Sequence, residues 1–325
     1  MAQAREKEMR FFKAVALFVI SAAVHAQGYP DKPVKVVNAF AAGGGSDILL
    51  RTFLPKWSEL LGQQIVVDYR TGAGGNVAME AVAKSLPDGY TLLMGSPGLA
   101  INPSLYEKLP FDPIKDFAPV SLVGTVPNVL VVNPAVGVSS VRELVTLAKA
   151  QPGKLNYATP GAGTSLHLAA ELFKLSTGTD IVHVPYKGGA QAQTDVLAGQ
   201  VQMMFNVLPS ALPQVRAGKL RALAVTGRTR SEALPEVPNM IEAGIADYTA
   251  VTWNGIVAPA GTPRAVIAKL NETLVGALRT AEMKEAFARI GQEPAWSTPE
   301  EFAALIREET VKWRRVIQAA GIKAQ

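Results

Sequence analysis

Cysteine is absent from the 325 residues, and histidine occurs only three times. Without cysteine there is no disulfide framework, no thiolate metal site, no thiol nucleophile and no acceptor for a lipid anchor. His25 falls in an N-terminal leader, so only His167 and His183 remain, sixteen residues apart and with no H-E-x-x-H around them. That spacing makes a poor zinc site, and no metal or other cofactor is expected. Phosphate-binding signatures are missing as well. No glycine-rich loop continues into Gly-Lys-Ser/Thr, and the G-x-G-x-x-G pattern fails where Gly72 and Gly74 are followed by Val77, and Gly161 and Gly163 by Leu166. Ser96 in MGSPG and Ser165 in GTSLH each miss the G-x-S-x-G nucleophile elbow at an essential glycine. Basic residues are scattered, with no Lys/Arg run carrying interleaved aromatics, which argues against nucleic acid as a partner.

The longest apolar stretch is short. AVALFVISAAV, Ala14 to Val24, follows Arg5, Lys7, Arg10 and Lys13 and ends in V-H-A, the layout of a secretory signal peptide over residues 1–26 cleaved after Ala26. Eleven residues fall well short of the roughly 20 that span a bilayer. Met9 offers a second candidate start within the leader. Removing the segment lowers the formal charge from +5 to about +3. A periplasmic destination is the expectation, without a lipid anchor. With 48% hydrophobic and 18% charged residues, the 325-residue sequence has the makeup of a globular chain of two domains.

What is present is one local design used four times. A short β-rich run ends in a glycine-rich loop that opens into an amphipathic helix. VKVVNAF leads through AAGGGS into a helix near Asp47, and QIVVDYR through TGAGGN into VAMEAVAKSL. LNYATP leads through GAGTS into LHLAAELFKL, and DIVHVPY through KGGA into QAQTDVLAGQ. Strands alternating with helices in this way predict parallel sheets flanked by helices, with ligands gathered at the carboxyl ends of the strands. Two further apolar runs, VLVVNP (Val129 to Pro134) and TWNGIVAPAGTP (Thr252 to Pro263), read as paired crossovers. They divide the chain into a first lobe of residues 27–128 plus 249–325 and a second of residues 129–248, with a cleft between them. Three C-terminal helical segments are expected to return to the first lobe.

Backbone N–H groups at these loops suit an anion, because the first N–H groups of a helix lack intrahelical partners and carry a partial positive charge. One helix end contributes about 0.3 to 2 kcal/mol and each hydrogen bond to a charged group about 1.5 to 3 kcal/mol. Two or three converging loops therefore approach the ~8 kcal/mol of micromolar affinity. Gly43, Gly44 and Gly45 would let the first loop close on a carboxylate, with Ser46 or Asp47 capping the helix. Asp47 is favoured as a cap over a ligand contact, since carboxylates repel. Gly72, Ala73 and Gly74 would supply a second set of donors, with Asn76 as cap or contact, and Gly163, Thr164 and Ser165 a third. A purely structural turn is the bland reading of each loop taken singly. His183 reads as a strand residue satisfied by hydrogen bonds, while His167 stands open between a cleft-lining and a structural role. A secreted hydrolase using Ser165 with His167 is a rival reading that lacks a third group.

Several blocks resemble the Bug family, the TctC-like solute receptors of tripartite tricarboxylate transporters. They are YPDKPVKVV, the glycine loop with Asp47, NVAMEAVAKSLPDGYTLLMGS, INPSLYEKLPFDPIKDFAPVSLVG, LNYATPGAGTSLHLAAELF, DIVHVPYKGGAQAQTDVLAGQVQMMF and the W-N-G-I-V-A-P strand. The resemblance runs from Tyr29 to the C-terminal helices. It implies an α/β type II periplasmic-binding-protein fold, two lobes with parallel-rich sheets joined by a two-strand hinge, and a non-catalytic receptor. Such a receptor holds a small organic carboxylate between the lobes and delivers it to membrane permease subunits. A sensor feeding a membrane signalling partner shares the same binding chemistry, and a monomer is expected. Carried over residue by residue, the resemblance places first-lobe contacts on Phe40, Ala42, Gly43, Gly44, Gly45 and Ser46 and on Gly72 to Asn76, with Ser96 a further candidate. Second-lobe contacts fall on Gly163 to His167 and near Asn206. Family members often have proline where this chain has Ala39 and Ala42, and aspartate where it has Asn206. The missing charge at Asn206 leads to the expectation that a ligand with an amine at its far end is disfavoured.

Overall fold

The computed structural model describes residues 28–323 apart from 41, 44 and 187. The expected leader, residues 1–26, and Gly44 of the first glycine loop lie outside the described residues. Among the described residues no helix is long and apolar enough to cross a membrane.

The first lobe begins with β1 (Val34–Asn38), α1 (Gly45–Leu61), β2 (Ile65–Tyr69), α2 (Asn76–Ala83), β3 (Thr91–Gly95) and α3 (Gly98–Leu105). β1 pairs in parallel with β2 and β3, as strand–helix–strand units do. β4 (Phe117–Val126) leads to β5 (Asn128–Val132), and the second lobe continues with α4 (Val141–Ala150), β6 (Asn156–Thr159), α5 (Ser165–Thr177) and β7 (Val182–Pro185). It is completed by α6 (Gly189–Leu197), β8 (Met203–Val207), α7 (Leu208–Arg216) and β9 (Arg221–Val225). The chain then returns through β10 (Thr252–Pro259), α8 (Arg264–Leu278), α9 (Ala281–Arg289), β11 (Glu293–Pro294) and α10 (Pro299–Ala320).

These strands form a six-stranded sheet in the order β11-β4-β10-β3-β1-β2 and a five-stranded sheet in the order β7-β6-β8-β5-β9. Both are mixed. The parallel part of each is flanked by antiparallel strands, β10, β4 and β11 in the first and β5 and β9 in the second. Returning strands enter from the opposite end of a sheet, so each crossing converts parallel pairing to antiparallel.

The crossings do not fall where the apolar runs alone place them. Val129 to Val132 have no solvent exposure and form β5, inside the second sheet. The first crossing is the short step from Val126 through Pro127 to Asn128, and proline suits it because it cannot donate to either ladder. The second crossing precedes Thr252. Here Asn128 Nδ2 donates to the Ala250 carbonyl at 2.6 Å, and Ala250 N–H donates to the Thr226 carbonyl at 3.1 Å.

The helices also depart in one respect from the expected return to the first lobe. α8 packs on α1 and β4, and α9 on α1, but α10 lies against both α3 and α5, one from each lobe. A Thr298–Glu301 capping box starts α10, and its apolar face buries Phe302, Ile306, Trp313, Val316 and Ile317. One hydrophobic cluster accordingly runs from Val37 and Leu93 through Trp253 and Trp313 to Tyr157 and Phe205. The other two clusters stay within single lobes, one around Phe53, Trp57 and Phe287, the other around Val129, Met204 and Leu208.

Candidate functional site

A cavity of about 670 Å³ lies between the lobes. Phe40, Gly45 and Ser46 reach it from the loop after β1, Gly74 from the loop after β2, and Ser96, Pro97 and Gly98 from the end of β3. α3 contributes Ile101, Asn102, Leu105 and Tyr106; the second lobe contributes Ala162 to Ser165 and Val207. The remaining wall is Val126, Thr252, Asn254 and Gln292 near the crossings. None of these side chains is charged.

The loop after β1 is braced from behind. Asp47 sits in the first turn of α1 with 1% exposure and accepts the Gly43 N–H at 2.7 Å, Arg51 Nε at 3.0 Å and the Tyr69 hydroxyl. The Gly43 bond and then the Tyr69 bond hold its carboxyl below the ordinary aspartate range, against the effect of burial. Asp47 thus lies inside α1 rather than at its N-cap, behind the cavity lining, and ties the loop to β2 and to its own helix. Because Gly43 gives its N–H to Asp47, that amide is not available to a solute. Ser46 faces the cavity and donates its hydroxyl to Asn38 Oδ1 at 2.9 Å, and Asn38 is fully buried at the end of β1.

The loop after β2 is a tight 3-10 turn, Ala73–Gly75, in which Ala73 has φ 46° and Gly74 φ 63°. A side chain at Gly74 would place its Cβ 2.9 Å from Tyr106 Oη, so glycine there opens space toward the cavity as well as permitting the backbone turn. The Gly74 carbonyl accepts Asn102 Nδ2 at 3.1 Å, and the same nitrogen donates to Asn76 Oδ1 at 2.7 Å. Asn76 therefore joins α2 to α3 and makes no side-chain cap, since Gly75 is the cap residue.

On the second lobe, Thr164 caps α5 and accepts the His167 N–H at 3.3 Å. Gly163 has φ 74°, and a Cβ there would come within 3.0 Å of Leu105 Cδ1 on the opposite lobe. The N–H groups of Gly98 and Ser165, at the starts of α3 and α5, have no partner among the described residues. Both residues line the cavity.

His167 lies behind this loop. Its Nδ1 accepts the Gly163 N–H at 3.0 Å, its ring stacks on His183 with centroids 3.9 Å apart, and its Nε2 faces Glu171 at 3.8 Å. Burial first, and then the neighbouring His183 and Lys174, push its pKa down to about 3. Tyr157, raised by burial and by Glu171, donates to that carboxylate, and Lys174 pairs with it at 2.9 Å. His183 Nε2 is 2.6 Å from Thr159 Oγ1. The imidazoles, His167 buried and His183 half-buried, form a support under the Gly161 to Ser165 loop, and no Ser165–His167 hydrogen bond exists among the described residues.

Of the residues expected from the sequence, Phe40, Gly45, Ser46, Gly74, Ser96, Gly163, Thr164 and Ser165 line the cavity. Ala42, Gly43, Asp47, Gly72, Ala73, Asn76, His167 and Asn206 do not. Asn206 is 3% exposed, donates to Gln193 Oε1 at 2.6 Å and accepts the Val207 N–H at 2.9 Å. Its neighbour Val207 reaches the cavity instead, which removes the basis for reading amine specificity from Asn206. Tyr106, Asn102, Thr252, Asn254 and Gln292 were not expected. Only tertiary packing brings them to the cavity, although the alternation in T-W-N, with Trp253 in the core, puts Thr252 and Asn254 on one face.

The family described as tripartite tricarboxylate transporter family receptor matches residues 49–322. The chain belongs to this family. It is 38% identical to protein BugT of Bordetella pertussis over 320 residues, 97% of this chain and 98% of that one. Among solved structures, Rpa4515 of R. palustris with adipate is similar at 37% identity and TM-score 0.76, covering 91% of this chain and 99% of that chain. MatC of Rhodopseudomonas palustris with bound malate is similar at 31% identity and TM-score 0.72, covering 89% and all of that chain. The chain is a solute receptor of the TctC/Bug type, with the corresponding mixed α/β fold.

Proposed function

We propose that this receptor captures a small organic carboxylate between its lobes in the periplasm and presents it, as a monomer, to the membrane subunits of a tripartite transporter. The observation that carries this reading is the cavity itself, entered from both lobes by glycine-rich loops and helix starts and lined, among the described residues, by no charged side chain. Backbone N–H groups then bear the task of meeting a negative charge, with Gly98 and Ser165 at two helix starts unpartnered among the described residues. Relatives of similar length hold adipate and malate.

Catalysis is not part of the proposal. His167 spends Nδ1 on the Gly163 amide and is held neutral, so it supplies no base to Ser165. A signalling partner in place of a permease would use the same cavity.

A thermal-shift screen against mono-, di- and tricarboxylates and aromatic acids tests the reading, because a solute that prefers the native state raises its melting temperature. A carboxylate that raises Tm in a concentration-dependent way, and is recovered unchanged after incubation with stoichiometric protein, is the expected result. A screen in which no carboxylate stabilises the protein, or in which one is turned over, would overturn it.

A further inference from the structure

The cavity has a second polar surface, made of side chains and independent of the glycine loops. In the six-stranded sheet Gly255 pairs with Gly95, so the register carried one residue further sets Asn254 opposite Ser96. On the other side of β10, Asn254 pairs with Gly124 and Thr252 with Val126. Glu293 pairs with Thr125, which brings Gln292 beside Val126 in the same way. Residues two apart on a strand share a face, so Thr252 and Gln292 flank Val126, and Asn254 and Ser96 continue the same side of the sheet toward β3. All five line the cavity.

Two of these side chains are nine-tenths buried, Asn254 at 7% exposure and Ser96 at 8%. Neither makes a side-chain hydrogen bond with any described residue. Gln292 Oε1 is also buried without a partner. Buried polar groups are as a rule hydrogen-bonded, and the exceptions call for an occupant. Thr252 adds a hydroxyl with no protein partner among the described residues.

We infer that this face recognises the end of the solute remote from its carboxylate, and that this end is an uncharged group with both donor and acceptor character, a carboxamide or a hydroxyl. The inference rests on the carboxylate-receptor reading above. The donor set decides the class. Asn, Gln, Ser and Thr each present an acceptor as well as a donor, whereas a second carboxylate can only accept and would leave the facing oxygens unpaired. It would also bring a second negative charge into a partly desolvated space whose described lining holds no cation. A plain alkyl end would leave the whole face unpartnered, which is how a site built for an OH or NH group rejects an analogue lacking one.

The test is calorimetry with three matched series of straight-chain acids of about four to eight carbons. They are plain monocarboxylates, monocarboxylates ending in a carboxamide, and dicarboxylates. The best carboxamide acid should bind at least about tenfold more tightly than its alkyl and dicarboxylate counterparts. In Asn254→Ala, and independently in Thr252→Val, which keeps a β-branched side chain of the same shape, that preference should fall toward one. The unliganded melting curve of each variant reports folding separately. Tightest binding by a dicarboxylate or an alkyl acid, or a preference that survives both substitutions, overturns the inference and leaves the carboxylate reading standing. If no member of any series binds, the inference falls, and the carboxylate reading is decided by the wider thermal-shift screen.

Discussion

The Gly163 N–H donates to Nδ1 of His167 at 3.0 Å, and through this bond a buried imidazole holds the second-lobe loop that faces the cavity. A ring nitrogen that accepts cannot also carry a proton, so the bond exists only while His167 is neutral. Its folded pKa of about 3 lies below the ordinary value of 6.5. Between those limits the unfolded chain binds one proton more than the folded protein, so stability falls as pH falls. The expected slope from this residue is about 1.4 kcal/mol per pH unit below pH ~6. Urea unfolding of the wild type and of His167→Gln across this range should show a shallower acid slope in the variant. Parallel curves would remove His167 from the account.

Asp47 braces the first glycine loop through Gly43, Arg51 and Tyr69. Asp47→Ala should cost about 1 to 3 kcal/mol in denaturant unfolding, since it removes three hydrogen bonds to a buried carboxylate while their donors, Gly43, Arg51 and Tyr69, can turn to water. Tyr69→Phe removes one of the three bonds and should cost about 1 kcal/mol. Solute affinity should fall in both, and more in the first, because Phe40 and Ser46 ride on the loop that Asp47 restrains.

Asp47 also carries an acid signature of its own. Its folded pKa is depressed, so its contribution is present above the ordinary aspartate value and is lost as pH falls through the depressed one. The Asp47→Ala difference from wild type should therefore shrink at strongly acidic pH. Circular dichroism melts of the two proteins over a descending pH series would show it.

Gly163 and Leu105 meet across the lobes, with room for hydrogen but not for a methyl group in ordinary contact. Gly163→Ala introduces a Cβ at φ 74° and wedges it against Leu105, so the lobes should close less completely. Small-angle scattering with a bound carboxylate should show compaction in the wild type and less of it in the variant, with affinity reduced about tenfold or more. Equal compaction in both would show that this contact does not limit closure.

Trp253 is fully buried in a T-shaped contact with Phe302 and sits between the cavity residues Thr252 and Asn254. Its emission should change when a solute binds. That change should survive Trp296→Phe, which alters a partly exposed ring stacked under Arg279, and disappear in Trp253→Phe. Titrating the three proteins with one carboxylate separates the contributions.

Where strand, glycine loop and helix follow one another within a few residues, the linear chain is sufficient to read them, because turn formation and helix initiation are local. The loops at Phe40 to Ser46, Gly72 to Gly74 and Gly163 to Ser165 were legible for that reason. What each amide does was not. Gly43 gives its N–H to Asp47 and Gly163 gives its own to His167, and which donors stay free depends on partners chosen in three dimensions. The apolar run Val129 to Val132 looks the same in sequence whether it crosses between lobes or pairs inside one, since burial on both faces gives an unbroken hydrophobic string in either case.

The sequence by itself determined the strand–loop–helix units and the use of small residues at strand ends, since these follow from local propensity, and its blocks carried the resemblance to the TctC/Bug receptors that gave the class of protein. Only the tertiary structure decided that Ser96, Thr252, Asn254 and Gln292 share one face of the cavity, and that α10 packs on both lobes. Sheet register and helix docking bring together residues that are remote along the chain, and no local pattern encodes a contact whose two halves are separated by most of a lobe.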